Sequence, residues 1–225
     1  MATSQKLDNV ESAAFAHTDA ALREALYGNF PLARREAAAA LTLAHDSRAV
    51  EREAGLAYVL AGDATHAHAI ANDLAKNSPE DTVVQSVVLP AIRAKLEMDR
   101  NHPDQAVTLV ESARPYEFGD NLNGCAYSAY LRGQALLRAG KPSTAEDDFR
   151  RVLDHRGVVL SCPTGAAARL GLARALKMQA SSDGADSAKR EQAREAYREF
   201  FSLWKDADPD IPILKEAKSE FATLQ

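Results

Sequence analysis

The residues best able to do chemistry stand in patterns that stop short of it. Gly140-Lys141-Pro142-Ser143 shares a Gly-Lys pair with phosphate-binding loops, in which backbone amides cradle the phosphates and the lysine reaches the outer ones. The upstream glycine is missing at the required spacing and Pro142 stands where the hydroxyl belongs, so the stretch reads as a bend between helices. Asp206, Asp208 and Asp210 alternate like the ligands of a calcium loop. Ile211, however, replaces the glycine of its sharp turn and Ala217 its bidentate acid. His66 and His68 are two residues apart, which on a helix points them in different directions; a shared metal needs an i, i+4 pair. Cys125 and Cys162 are 37 residues apart and belong to no C-x-x-C or metal-ligand pattern. There is no Gly-x-Ser-x-Gly, no dinucleotide fingerprint and no paired-carboxylate constellation. The expectation is a chain that is not an enzyme, holds no cofactor or metal, and works by surface recognition.

Composition says which elements must present that surface. The 225 residues are 46% hydrophobic but only 6% aromatic, and roughly a fifth are alanine, a strong helix former. Glycine and proline are sparse and fall between apolar-periodic segments, which predicts an all-α chain with closely packed helices. The net charge of −5 gives no general attraction for nucleic acid or an anionic membrane. No apolar run of membrane-spanning length is present, and residues 1–10 lack the apolar core of a signal peptide. Two cysteines without a motif favour a reducing, cytoplasmic setting, with a secreted origin left open.

The helical segments recur. In Ala54–Asp81, Gly55 is followed by Tyr58, a Gly62-Asp63 interruption, Ala67 twelve residues after Gly55, Leu74, and a closing Pro79. Gly55 allows close helix approach, Gly62 supplies a turn, and Pro79 ends the second helix. Gly28 to Gly62 and Ala33 to Ala67 are both 34 residues apart. Gly133, Gly140, Ala145, Phe149 and Val152 repeat the pattern; Ala94 and Ala106 keep it in weaker form. In a last copy Gly171 and Ala193 are 22 apart, an offset explained by a ten-residue polar insertion near 179–188, expected to be an exposed loop. Pro90 falls inside an apparent helix and predicts either a kink or a later helix start. Asp210, Pro212 and the apolar face of Ile213, Leu214, Ala217, Phe221 and Leu224 predict a final capping helix, with Asp210 as N-cap and Trp204 beneath it.

This frame resembles the tetratricopeptide repeat, a helix–turn–helix unit of 34 residues. The resemblance implies five hairpins, about 14–47, 48–81, 87–120, 126–159 and 164–209, closed by a capping helix at 210–225, in one right-handed α-α superhelix. It also implies that first helices line a concave groove for a protein or peptide partner. Projected on this chain, the groove candidates are Arg52, Leu56, Lys95, Met98, Tyr127, Tyr130, Gln134 and Arg138. Tyrosine and arginine suit that role because they join large contact area to polar ends. Thr18 and Leu22 stand where the family's lysine/asparagine carboxylate clamp would begin, so that specific function is not carried over. An RNA-reading array would want a basic inner face, which the charge does not provide; neither nucleic acid nor membrane is an expected partner.

Four further blocks are FPLARREAAAAL, PEDTVVQSVVLPAIRA, LDHRGVVLSCPTGAAARLGLARA and FFSLWKDADPDIPILKEAKSEF. They resemble the C-terminal repeat region of bacterial, particularly acidobacterial, eukaryote-like serine/threonine protein kinases, a region also found behind winged-helix DNA-binding domains. The Gly-rich loop, Val-Ala-x-Lys and Asp-Phe-Gly of a kinase are absent. The sequence therefore predicts a non-catalytic scaffold that is a docking or regulatory segment of a larger signalling protein. The alternative is the regulatory region of a kinase or winged-helix regulator whose catalytic or DNA-binding domain lies outside this chain.

Overall fold

Glycine turns and side-chain caps set the helix ends. In the computed structural model, which describes residues 2–119, 125–159, 161–182 and 187–224, Gly28, Gly62 and Gly140 adopt φ of 90°, 73° and 70°. An L side chain is strained there, so glycine is what lets each helix end in a tight turn. These turns join α1 (Ala2–Tyr27) to α2 (Phe30–Leu43), α3 (Arg48–Leu60) to α4 (Ala64–Asn77), and α7 (Tyr127–Arg138) to α8 (Pro142–Asp154). The other helices are α5 (Leu89–Asp99), α6 (Pro103–Val110), α9 (Arg156–Val159), α10 (Pro163–Ser182), α11 (Ser187–Leu203) and α12 (Pro212–Ala222). Among the described residues there is no strand. The Ser47 and Asp63 side chains accept hydrogen bonds from the third amides of α3 and α4. Prolines open α2, α6, α8 and α12, where a missing N–H costs nothing.

The chain forms two compact units, Met1–Ile92 and Arg93–Gln225. In the first, α1 packs on α2 and α3, and α3 on α4. Small residues make that possible: Ala14, Ala21, Ala33, Ala37, Ala40 and Ala67 have no exposed surface. A Cβ on Gly55 would lie 2.7 Å from Ile70 Cγ2, so glycine is what admits the α4 side chain against α3. Tyr58 is buried beside it and stacks on His66, ring centroids 4.7 Å apart. The Thr18 hydroxyl of α1 donates to the buried Glu53 carboxylate of α3.

In the second unit α7 packs on α6, α8 and α10, and α11 on α10 and α12. Phe149 of α8 is fully buried between two glycines. A Cβ on Gly133 of α7 would meet its ring at 2.7 Å, and one on Gly171 of α10 at 2.5 Å. Burying one phenyl ring stabilises by about 1.5–3 kcal/mol, and α7 and α10 each leave out a side chain to accommodate this one.

Three local expectations come out differently. The helix containing Pro90 starts at Thr82 behind an Asp81 cap, which accepts from Val84 N at 3.0 Å. It passes the proline through a π-turn over Val84–Val88, which absorbs the backbone group that the proline leaves unpaired. The stretch expected to be an inserted loop is mainly helical: α10 runs to Ser182 and α11 resumes at Ser187, since alanine and lysine keep these segments helix-competent. Residues 183–186 lie outside the described residues. Ile211, not Asp210, is the N-cap of α12; Asp210 pairs instead with Lys215 at 2.6 Å. Trp204 packs on Phe200, centroids 5.5 Å apart, within an aromatic cluster that includes Phe201 and Phe221.

Candidate functional site

The second unit carries a polar strip across α5, α7, α10 and α12. Asp99 at the end of α5 accepts from Lys95 Nζ at 2.6 Å, one turn back on the same helix. Arg138 at the end of α7 donates to Met98 O at 2.9 Å and lies 3.8 Å from Asp99. One turn back on α7, Gln134 Nε2 donates to Tyr130 Oη at 2.9 Å. Burial pushes the Tyr130 phenol up to about 12, while the charges of Arg174 on α10 and Arg138 partly oppose the shift. Arg174 in turn holds both oxygens of Glu220 on α12 at 2.8–3.0 Å and reaches Glu216 at 3.2 Å. Tyr197 Oη donates to Glu220 Oε2 at 2.7 Å and Lys177 Nζ to Glu220 O at 2.9 Å. Burial works against the Glu220 charge, but the Arg174 hydrogen bonds and charge, with help from Tyr197, hold its carboxyl below the ordinary range. Burial and the bond to Glu220 both push the Tyr197 phenol up.

The eight sequence-derived groove residues divide by burial. Leu56 has no exposed surface, Met98 and Tyr127 show 3% and Tyr130 7%, so these four serve as core. The periodicity that selects a helix face cannot tell a groove wall from an interface with the next helix; here Tyr130 sits against Phe149, ring centroids 6.1 Å apart. Arg52 is partly exposed, 3.7 Å from Asp81, within the first unit. Lys95 and Arg138 meet at Asp99 on the second unit, Gln134 lies one turn back on α7 against Tyr130 Oη, and the Arg138 side chain is 48% exposed. Lys95 keeps only 17% exposure, because Asp99 folds it against α5. These side chains can pair with charged or amide groups of a partner. Among the described residues, no three His, Cys, Asp or Glu are placed to hold a metal ion.

Two features lie outside the sequence expectations. Arg132, 1% exposed, donates from Nε and Nη2 to Asp148 at 2.8 and 2.6 Å and from Nη1 to Glu117 at 2.8 Å. Arg151 Nη1 lies 2.8 Å from the other Glu117 oxygen, an ion-pair contact without hydrogen-bond geometry. These bonds raise the Arg132 pKa despite its burial. The available signal was an arginine on the apolar stripe of Ala129, Arg132 and Leu136. The second feature is covalent: Cys125 and Cys162 form a disulfide, Cα atoms 5.4 Å apart. The cysteine count and spacing gave no sign of this pairing; such bonds persist in oxidising surroundings.

No helix among the described residues is long and apolar enough to cross a membrane. No protein-family model, curated protein or solved structure matches the chain.

Proposed function

We propose that this chain is a non-catalytic scaffold of tetratricopeptide-like hairpins that binds a protein or peptide. The observation that carries this reading is the approach of Lys95 on α5 and Arg138 on α7 to the same Asp99 carboxylate, with Gln134 one turn back from Arg138 on α7. Those positions fall on the first helices of consecutive units of the repeat frame, and Arg138 leaves about half its side chain to solvent. The 34-residue spacing of the positive-φ glycines Gly28 and Gly62 supports the repeat reading independently. A partner carboxylate or backbone carbonyl would take the guanidinium of Arg138, while the buried tyrosines beneath keep the surface rigid.

The test is selection of peptides from a displayed library on the intact chain, followed by titration of K95A/Q134A/R138A. Binding should weaken at least tenfold, with helicity by far-ultraviolet circular dichroism unchanged. A library that yields no sequence-specific binder, or binders indifferent to the three substitutions, would reject the site.

The blocks Asp154–Gly157 and Trp204–Asp210 favour a second, compatible reading, in which the scaffold regulates a bacterial serine/threonine kinase or winged-helix protein. It requires a kinase or DNA-binding domain in the parent reading frame, and sequencing the surrounding locus decides it.

A further inference from the structure

We propose that the Cys125–Cys162 disulfide is a redox-sensitive latch on the start of α7. The bond joins the connection ahead of α7 to the connection ahead of α10, two helices that pack together in the second unit. Thr164 Oγ1 donates to Cys125 O at 2.6 Å, so a buried hydrogen bond ties the same joint. Unfavourable features then crowd into the three residues after Cys125. Ala126, the N-cap of α7, has φ 49° and ψ 35°, a left-handed conformation that alanine rarely adopts, and its side chain offers no cap. Asn101 is the other non-glycine with positive φ among the described residues, and asparagine tolerates it. Ser128 Oγ, 2% exposed as a residue, finds no hydrogen-bond partner. Opening the bond lets Ala126 relax and Ser128 reach water, so relief accompanies reduction.

Access is asymmetric. Cys125 is 7% exposed, whereas Cys162 is half-buried and has Val158 O at 3.7 Å, within reach of a thiol S–H. A thiolate of an external dithiol therefore attacks Cys162 Sγ. The disulfide breaks and Cys125 leaves as a thiolate, which takes a proton. The second thiol of the reductant then displaces the mixed disulfide, leaving a Cys162 thiol and the cyclic disulfide of the reductant. Two electrons and two protons pass from the dithiol to the protein. The freed segment begins with Tyr127, a buried ring that the closed latch holds in the core. This goes beyond binding, because it concerns when the start of α7 is ordered and not what the scaffold holds.

The experiment is hydrogen exchange on the intact chain, oxidised, reduced with dithiothreitol, and reoxidised, with C125S/C162S as a permanently open form. Reduction should proceed without denaturant and speed exchange at residues 127–131 at least tenfold. Exchange in α3 should not change, and reoxidation should restore protection. A126G removes the strain, so its oxidised and reduced forms should differ several-fold less than those of the natural chain. The proposal is overturned if the bond reduces only with global unfolding, if residues 127–131 keep their protection after reduction, or if A126G leaves the difference unaltered.

Discussion

Replacing Arg132 by methionine tests whether a buried charge network ties α7 to α8 and to the segment around Glu117. Methionine keeps an unbranched apolar stem but removes three hydrogen bonds, two to Asp148 and one to Glu117. The two carboxylates stay behind with 7% and 0% side-chain exposure. A buried ion pair broken on one side costs about 3–5 kcal/mol, most of it here the desolvated charge of Asp148, since Glu117 keeps Arg151 at 2.8 Å. At ordinary urea sensitivities that moves the unfolding midpoint down by about 2 M, and Trp204 fluorescence reports it from within the second unit. Arg198 is the control: it pairs with Glu191 and Glu195 at 3.1–3.2 Å but its side chain is 52% exposed, so R198M should leave the midpoint unmoved. The loss should be largely recovered in R132M/E117Q/D148L, because neither buried carboxylate charge is then present and Arg151, one-third exposed, keeps access to water. Equal midpoints for R132M and R198M would refute the reasoning, as would a triple variant no more stable than R132M.

Two other outcomes follow from the packing and from α12. Gly171→Ala should destabilise by up to about 2 kcal/mol: overpacking costs about 1–3 kcal/mol, against a helix-propensity gain of about 1 kcal/mol. The Phe149 ring would sit 2.5 Å from the new Cβ and is fully buried, so it has no solvent-exposed space into which to move. Shrinking the ring in G171A/F149L should make the two losses less than additive in denaturant titrations, while Gly157→Ala, whose Cβ meets nothing, should be neutral or stabilising. The pH dependence of stability should contain a Glu220 contribution. Its folded carboxyl is held below the ordinary range, so that contribution is complete above the unfolded-state pKa of about 4.3 and fades as pH falls through the depressed folded value. E220Q should flatten stability between about pH 5 and 3 relative to the natural chain; parallel curves would remove Glu220 from the account.

Helix content and turn positions were legible in the sequence because short-range rules fix them. Gly28, Gly62 and Gly140 announce turns that need positive φ, and all three adopt it. Gly55 and Gly133 mark close approach, and both lie against a side chain of the following helix. The features that went unread depend on the third dimension. Pro90 permits a kink or a restart, and the π-turn at Val84–Val88 is a further solution chosen by burial of Val84, Val87 and Val88. Arg132 takes its meaning from Asp148, sixteen residues away on another helix. Cys125 and Cys162, separated by 37 residues without a motif, give no sign of meeting until α7 and α10 stand side by side.

The candidate site shows the same limit along a single helix. Tyr127, Tyr130, Gln134 and Arg138 form one stripe of α7 by spacing, and sequence periodicity gives all four equal standing. Exposure rises along that stripe: Tyr127 and Tyr130 are buried, Gln134 is half-buried and Arg138 is exposed. The start of the stripe is in the core, with Tyr130 against Phe149 and within electrostatic reach of Arg174. Only its C-terminal end, where Arg138 meets the end of α5, has polar groups to offer a partner. Large aromatics are natural anchors by residue type, yet once they are committed to the core a partner gains nothing from them without breaking that packing. Arginine and glutamine, whose long stems lie along the helix while their ends stay wet, keep both functions available. Under the proposed function, recognition on this face is polar in character, with the buried tyrosines beneath it.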